Sequence, residues 1–81
     1  MKLDILTPEK KVFDGEVETI NVPTPLGFIT VLPHHTSLLS AVTKGKIKIK
    51  TPNEEKIIYS YGGVIEVFKN KAVLLLRRYE E

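Results

Sequence analysis

Lys46-Ile47-Lys48-Ile49-Lys50 changes from charged to aliphatic at every step, and beyond a Pro52-Asn53-Glu54 turn Lys56-Ile57-Ile58-Tyr59-Ser60-Tyr61 follows it. A period of two belongs to a strand with one buried face, so both isoleucines of the first run point inward and its three lysines point outward. The two runs read as an antiparallel pair. Turn signals recur along the whole chain, at Thr7-Pro8-Glu9-Lys10, Asp14-Gly15, Pro23-Thr24-Pro25, Pro33, Lys44-Gly45, Thr51-Pro52-Asn53, Gly62-Gly63 and Lys69-Asn70-Lys71. Short runs of Ile, Val, Leu, Phe and Tyr lie between them, and no window has the spacing of a stable helix. That rhythm predicts an all-β sandwich or barrel.

Further strands are expected at Leu3-Asp4-Ile5, Val17–Val22, Val64–Phe68 and Ala72–Leu76. The last two carry apolar residues on both faces, as central strands do. Alternation breaks between Val17 and Ile20, which suggests a bulge. Pro23 and Pro25 are expected to hold their loop out of any ladder, and Gly62-Gly63 to form a turn between strands. The tail Arg77-Arg78-Tyr79-Glu80-Glu81 is expected to fray.

With 81 residues the chain makes one domain, residues 1–81, and is small enough that every apolar strand matters. It has no cysteine, hence neither disulfides nor a thiolate metal site. The formal net charge of +2, with acids and bases interspersed, is unlike the basic footprint of a nucleic-acid coat. No window is apolar enough to span a bilayer, and no apolar signal region follows Lys2. A cytosolic protein, or one held at a membrane through a partner, is expected.

No catalytic constellation emerges. His34 and His35 are neighbours, and in an extended segment their rings diverge and cannot share a metal. Ser37 and Ser40 lack the glycines of a nucleophile elbow, and no lysine or helix start follows Gly62-Gly63 to make a phosphate loop. Lys46, Lys48 and Lys50, with Lys44 and Lys56 nearby, read as a solvated outer strand face that guards against edge pairing. A small basic nucleic-acid-binding barrel is the alternative, but only Tyr59 and Tyr61 offer stacking surfaces. Leu38-Leu39 follows the histidines, and in an extended segment one of the two leucines faces out. Apolar residues at loops without catalytic groups point to a docking module.

Five pieces occur in order: Asp14-Gly15-Glu16-Val17, Gly27 running to Val31-Leu32-Pro33-His34-His35, Leu38-Leu39, Gly45-Lys46-Ile47-Lys48-Ile49 and Gly62-Gly63-Val64-Ile65-Glu66-Val67. Together they resemble the N-terminal β-sandwich of the epsilon subunit of bacterial rotary ATP synthase, from about Leu3 to Leu76. The resemblance implies a flattened sandwich of about ten short strands. It also implies a non-catalytic rotor role, clamping the gamma subunit to the membrane rotor ring on the cytoplasmic side of the bacterial inner membrane. No cofactor or metal is implied, and nucleic acid is not an expected partner. By family position Leu26, Gly27 and Phe28 would meet the ring loops, while His35, Leu38, Ser40 and Thr7 would lie toward gamma. Phe28 departs from relatives that carry an acid there, so an apolar contact would replace a salt bridge. Relatives also continue into a C-terminal helical hairpin, which is not expected in a chain ending at Glu81. Helix-mediated inhibition and ATP sensing are therefore not expected of it.

Overall fold

The computed structural model describes Met1–Glu81 and contains eight strands: β1 (Lys2–Leu6), β2 (Lys11–Glu16), β3 (Thr19–Thr24), β4 (Gly27–Val31), β5 (Leu38–Lys50), β6 (Glu55–Phe68), β7 (Lys71–Leu76) and β8 (Tyr79–Glu80). They form one hydrogen-bonded path, β2-β1-β7-β6-β5-β3-β4, with β8 added to β6. All neighbours are antiparallel except β1 and β7, which run parallel.

What turns this single path into two layers is a change of face inside its two longest strands. Along β5 the even-numbered residues Leu38, Ser40 and Val42 point inward, and beyond Thr43 the odd-numbered Ile47 and Ile49 do. Along β6 the inward set changes in the same way, from Ile58 and Ser60 to Ile65 and Val67. The changes face each other in the ladder, where Val42 lies opposite Gly63 and Lys44 opposite Tyr61. Both strands therefore bend together and carry the sheet around a corner. The first layer holds β2, β1, β7, the C-terminal half of β6 and the N-terminal half of β5. The second holds β8, the other halves of β6 and β5, then β3 and β4. Counting each bent strand as two straight segments gives the ten short segments expected of the sandwich.

Two glycines make the corner possible. Gly62 has φ +118°, a backbone conformation that side-chain-bearing residues rarely adopt. At Gly63 a Cβ would lie 2.0 Å from the carbonyl oxygen of Leu75, so β7 crosses where no side chain fits. Gly62-Gly63 is thus no turn between strands, and Lys44-Gly45 is no turn either. Both lie inside continuous strands, because the ladder supplies backbone hydrogen bonds through the bend.

Sixteen buried apolar residues from both layers form one cluster, including Leu3, Ile5, Ile20, Val22, Val31, Ile47, Ile49, Ile58, Ile65 and Leu74. Ser60 is the one buried polar side chain, and its Oγ accepts a hydrogen bond from the Gly62 amide at 2.9 Å. The isoleucines of the Lys46–Lys50 run go inward as their spacing predicts.

Other expectations change in detail. Asp14-Gly15 lies within β2, an edge strand that the polar composition hid. The break in alternation between Val17 and Ile20 marks the passage from one layer to the other: Glu16 pairs in the first, and Thr19 in the second. Pro23 does sit in a ladder, opposite Phe28. It is tolerated because pairing of β3 with β5 has already ended at Asn21. The tail does not simply fray, since Tyr79 and Glu80 pair with Ser60 and Tyr59. The Arg77 amide donates to Gly62 O and the Tyr61 amide to Arg78 O, both at 3.1 Å.

Replacing Gly63 by alanine drives a methyl group into the Leu75 carbonyl and is expected to cost about 2–4 kcal/mol. Gly15→Ala, which meets only the Phe13 ring at 3.4 Å, should stay within about 0.5 kcal/mol. Urea unfolding of both variants measures the contrast.

Candidate docking surfaces

The chain has no helix long and apolar enough to cross a membrane, and no three His, Cys, Asp or Glu residues come together as a metal site. Its distinctive surfaces are apolar. On the outer face of the first layer, cross-strand register places Ala41, Val64 and Leu75 in one row and Leu39, Glu66 and Val73 in the next. Phe68 closes the end of this face. Leu39 is 73% exposed, Phe68 55% and Leu75 49%. Strands β6 and β7 are central in their layer, as their composition predicts, but their second apolar face is left open by this chain. A shallow depression lined by Ala41, Val64, Leu75, Gly62, Gly63 and Arg77 occupies one end of it.

A second apolar feature is the β3–β4 turn. Leu26 at its tip is 99% exposed, with Phe28 beside it at 62%. The turn is held by Thr24, whose Oγ1 donates to Gly27 O at 2.6 Å and accepts from the Leu26 amide at 3.2 Å. These bonds keep Leu26 in solvent. Gly27, at φ +117°, lets the chain enter β4.

The residues singled out from the sequence fall in several places. Leu38 turns inward against the core and Leu39 outward, as alternation requires. Ser40 also points inward, opposite Ile65, on the strand that forms one margin of the first layer. His34 and His35 occupy a loop, not an extended segment: His34 has φ +63° and its amide donates to Asn70 Oδ1 at 2.8 Å. The His35 Nδ1 lies 2.7 Å from Thr36 O. Thr7 lies at the opposite end of the layer. Lys2 registers with Lys71 beside Asn70, whereas Leu6 registers with Leu75. The strand between them separates Thr7 from the histidine loop by about 17 Å. Ser40 lies on a third strand, so the four residues do not form one cluster.

Charges at the β1–β2 margin of the first layer are paired with one another. Lys2 Nζ bonds both Asp14 and Asp4, Lys11 Nζ lies 3.2 Å from Asp14, and Lys71 Nζ lies 3.9 Å from Asp4. Hydrogen bonds from Lys2 and Lys11 hold the Asp14 carboxyl down at about 2, against an ordinary 3.8. The same contacts, with Asp14 first and Asp4 second, raise Lys2 above its usual 10.5. This cluster gave no signal in the sequence, because its members come from β1, β2 and β7.

The family model described as "ATP synthase, Delta/Epsilon chain, beta-sandwich domain" matches residues 1–81. An ATP synthase epsilon chain of Dehalococcoides mccartyi is 39% identical over 75 residues, covering 93% of this chain and 54% of the relative. One of Nitratiruptor is 40% identical over 78 residues, covering 94% and 60%. The chain thus spans only part of the curated relatives it matches, a little over half their length. Among solved structures, a chain of the Tetrahymena thermophila mitochondrial ATP synthase, from a structure titled central stalk and c-ring, superposes with a TM-score of 0.86. It shares 20% identity and is matched over 66% of its length, with all of this chain covered.

The Asp14 cluster sets a measurable pH dependence. Its carboxyl is depressed on folding, so its contribution is complete above an unfolded value near 3.8 and is lost as pH falls through about 2. Asp14→Asn should therefore differ in stability from the parent at pH 6 and not below pH 2. In Lys2→Ala the Asp14 carboxyl, followed by NMR, should titrate closer to 3.8. Both effects should shrink in high salt, since the pairs face solvent.

Proposed function

The chain belongs to the ATP synthase delta/epsilon-chain β-sandwich family, and on that premise we propose that it is a non-catalytic subunit of the central stalk. In this role it clamps the gamma subunit to the membrane rotor ring, so that torque from ion flow reaches the catalytic head. The observation that carries this reading is the uncovered apolar outer face of the first layer, with Leu39, Val64, Phe68 and Leu75 in solvent. A face of this kind on a small domain marks a protein contact.

Gamma would lie along that face. Thr7 stands at one end of the layer and the His35 loop at the other, with Ser40 and Leu38 on its β5 margin. The scattered positions become one contact only if gamma spans the full layer. The ring loops would meet the β3–β4 tip at Leu26, Gly27 and Phe28. With Phe28 and not a carboxylate at that position, this second contact is apolar and should depend little on salt. The protein would then sit at the membrane surface through its complex, on the cytoplasmic side in a bacterium, and would need no cofactor or metal.

Leu38 packs on the core, so Leu39 is the better probe of gamma binding. Leu39→Asp should weaken binding to purified gamma at least tenfold in titration calorimetry, about 1.4 kcal/mol, without lowering the melting temperature. Phe28→Asp should leave gamma affinity unchanged and reduce retention on the detergent-solubilised rotor ring. Unaltered affinity in the first variant, or unaltered retention in the second, would remove that contact from the proposal.

A further inference from the structure

The outer face of the second layer carries Lys44, Lys46, Lys48 and Lys50 at alternate positions of β5, all exposed. An edge-guarding role does not explain Lys48 and Lys50. In this half β5 is an interior strand, paired with β6 on one side, while Asn21 and Thr19 of β3 register with Lys48 and Lys50 on the other. At Lys48 and Lys50 no edge is open to protect, whereas Lys44 and Lys46 pair with β6 alone and the Pro23 ring lies beside Gly45. Lysine is disfavoured within strands, and four along one face of a strand are repelled by one another.

Nor are they neutralised internally. The ion pairs of the chain engage Lys2, Lys11, Lys56, Lys71 and the terminal amine, and none includes Lys44, Lys46, Lys48 or Lys50. Three acids border the row, the first being Glu18, whose amide donates to Lys50 O at 2.6 Å and whose carboxylate pairs with none of its lysines. Glu55 registers with Lys50 and Glu80 with Tyr59, and neither comes within ion-pair distance of the row. Beside the lysines runs an apolar and aromatic strip: Tyr61 faces Lys44, Tyr59 faces Lys46 and Ile57 faces Lys48. Tyr59 and Ile57 are 43% and 45% exposed. A charged row along an exposed aromatic strip has the composition of a protein interface.

We propose that this face binds an extended acidic segment of a partner protein. The lysines repeat every ~6.8 Å over about 20 Å, which is the spacing of carboxylates at alternate positions of an extended chain. Charge complementarity selects the occupant, and two details favour polypeptide over nucleic acid. The Tyr61 ring is engaged by the Arg78 guanidinium at 5.1 Å and met edge-on by Tyr59 at 5.8 Å, which leaves little free ring surface for bases. No arginine stands in the row for bidentate phosphate contact. A lipid surface fits less well, because Ile57 and Tyr59 are flanked by longer lysines and cannot lead into an acyl layer. The proposal does not depend on the contacts inferred for gamma or the ring: gamma is assigned to the other layer, and the ring to the β3–β4 tip, which shares no residue with this row.

The test is an NMR titration of the isotope-labelled protein with a ten-residue peptide of alternating glutamate and threonine. Amide shifts should concentrate at Lys44–Lys50 and Ile57–Tyr61. K46E/K48E should weaken binding at least tenfold, and K10E/K69E, an equal change of charge away from this face, by less than twofold. K46Q/K48Q, which tests the face without charge reversal, should lose several-fold affinity should the first variant fold poorly. The peptide with glutamine for glutamate should not bind. Equal losses in K46E/K48E and K10E/K69E would overturn the proposal, as would shifts centred elsewhere. So would tighter binding, at this face, of a single-stranded oligothymidine of equal charge or of vesicles containing anionic phospholipid.

Discussion

The close crossing of Gly63 and Leu75 is the constraint from which the architecture follows. Only a residue without a side chain lets β7 lie against β6 at the point where β6 bends. The bend in β6 is matched by one in β5, so the hairpin turns as a unit and a single sheet encloses its own apolar face. Without that corner, the rows headed by Ile47 and Ile65 would belong to one flat ribbon with nothing to pack against. A chain of this size, without disulfide or metal, has no second means of building an interior. The core is accordingly aliphatic almost throughout, and its one buried hydroxyl is spent on the bend, bonding the Gly62 amide.

The same geometry sorts the surfaces. Because each layer has one inward and one outward face, every strand presents its second set of side chains to an outside partner or to water. On the first layer those side chains are apolar at Leu39, Val64 and Leu75 around a single Glu66, and a Lys2–Asp4–Asp14–Lys11 charge cluster lies at the margin. On the second they are lysines and tyrosines. The two outer faces therefore differ in chemistry although they share β5 and β6, and a partner suited to one is unsuited to the other. The β3–β4 tip adds a third, compact apolar surface.

Much of the interior was legible from residue order. The strict alternation at Lys46–Lys50 placed Ile47 and Ile49 inward, and consecutive leucines at 38 and 39 had to part. What could not be read was the continuity of strands across glycine. Gly62-Gly63 and Lys44-Gly45 have the composition of turns, and only the pairing partner across the ladder shows that they are bends. Asp14-Gly15 misled in the same way, since β2 is an edge strand with few apolar residues to mark its period. The resemblance gave the family and the docking residues as a set, whereas their distribution over Thr7, Ser40 and the histidine loop depends on register. The lysine row was visible from the start. Its position on an interior strand was not, because strand order across a sheet is a long-range property.

The parallel pairing of β1 with β7 bears on how the chain reaches this state. Lys2 through Leu6 find their partners at Lys71 through Leu75, nearly the whole length of the chain away. During synthesis the β1–β2 hairpin must wait with one side unpaired until almost every other strand has emerged. Contacts of such sequence separation slow folding and leave a strand edge open to other chains in the interval. The salt-bridged side chains of Lys2, Asp4, Lys11 and Asp14 lie on that waiting hairpin. Charged side chains along an unpaired strand disfavour its pairing with other chains, and three of these four side chains remain more than a third exposed in the finished sandwich.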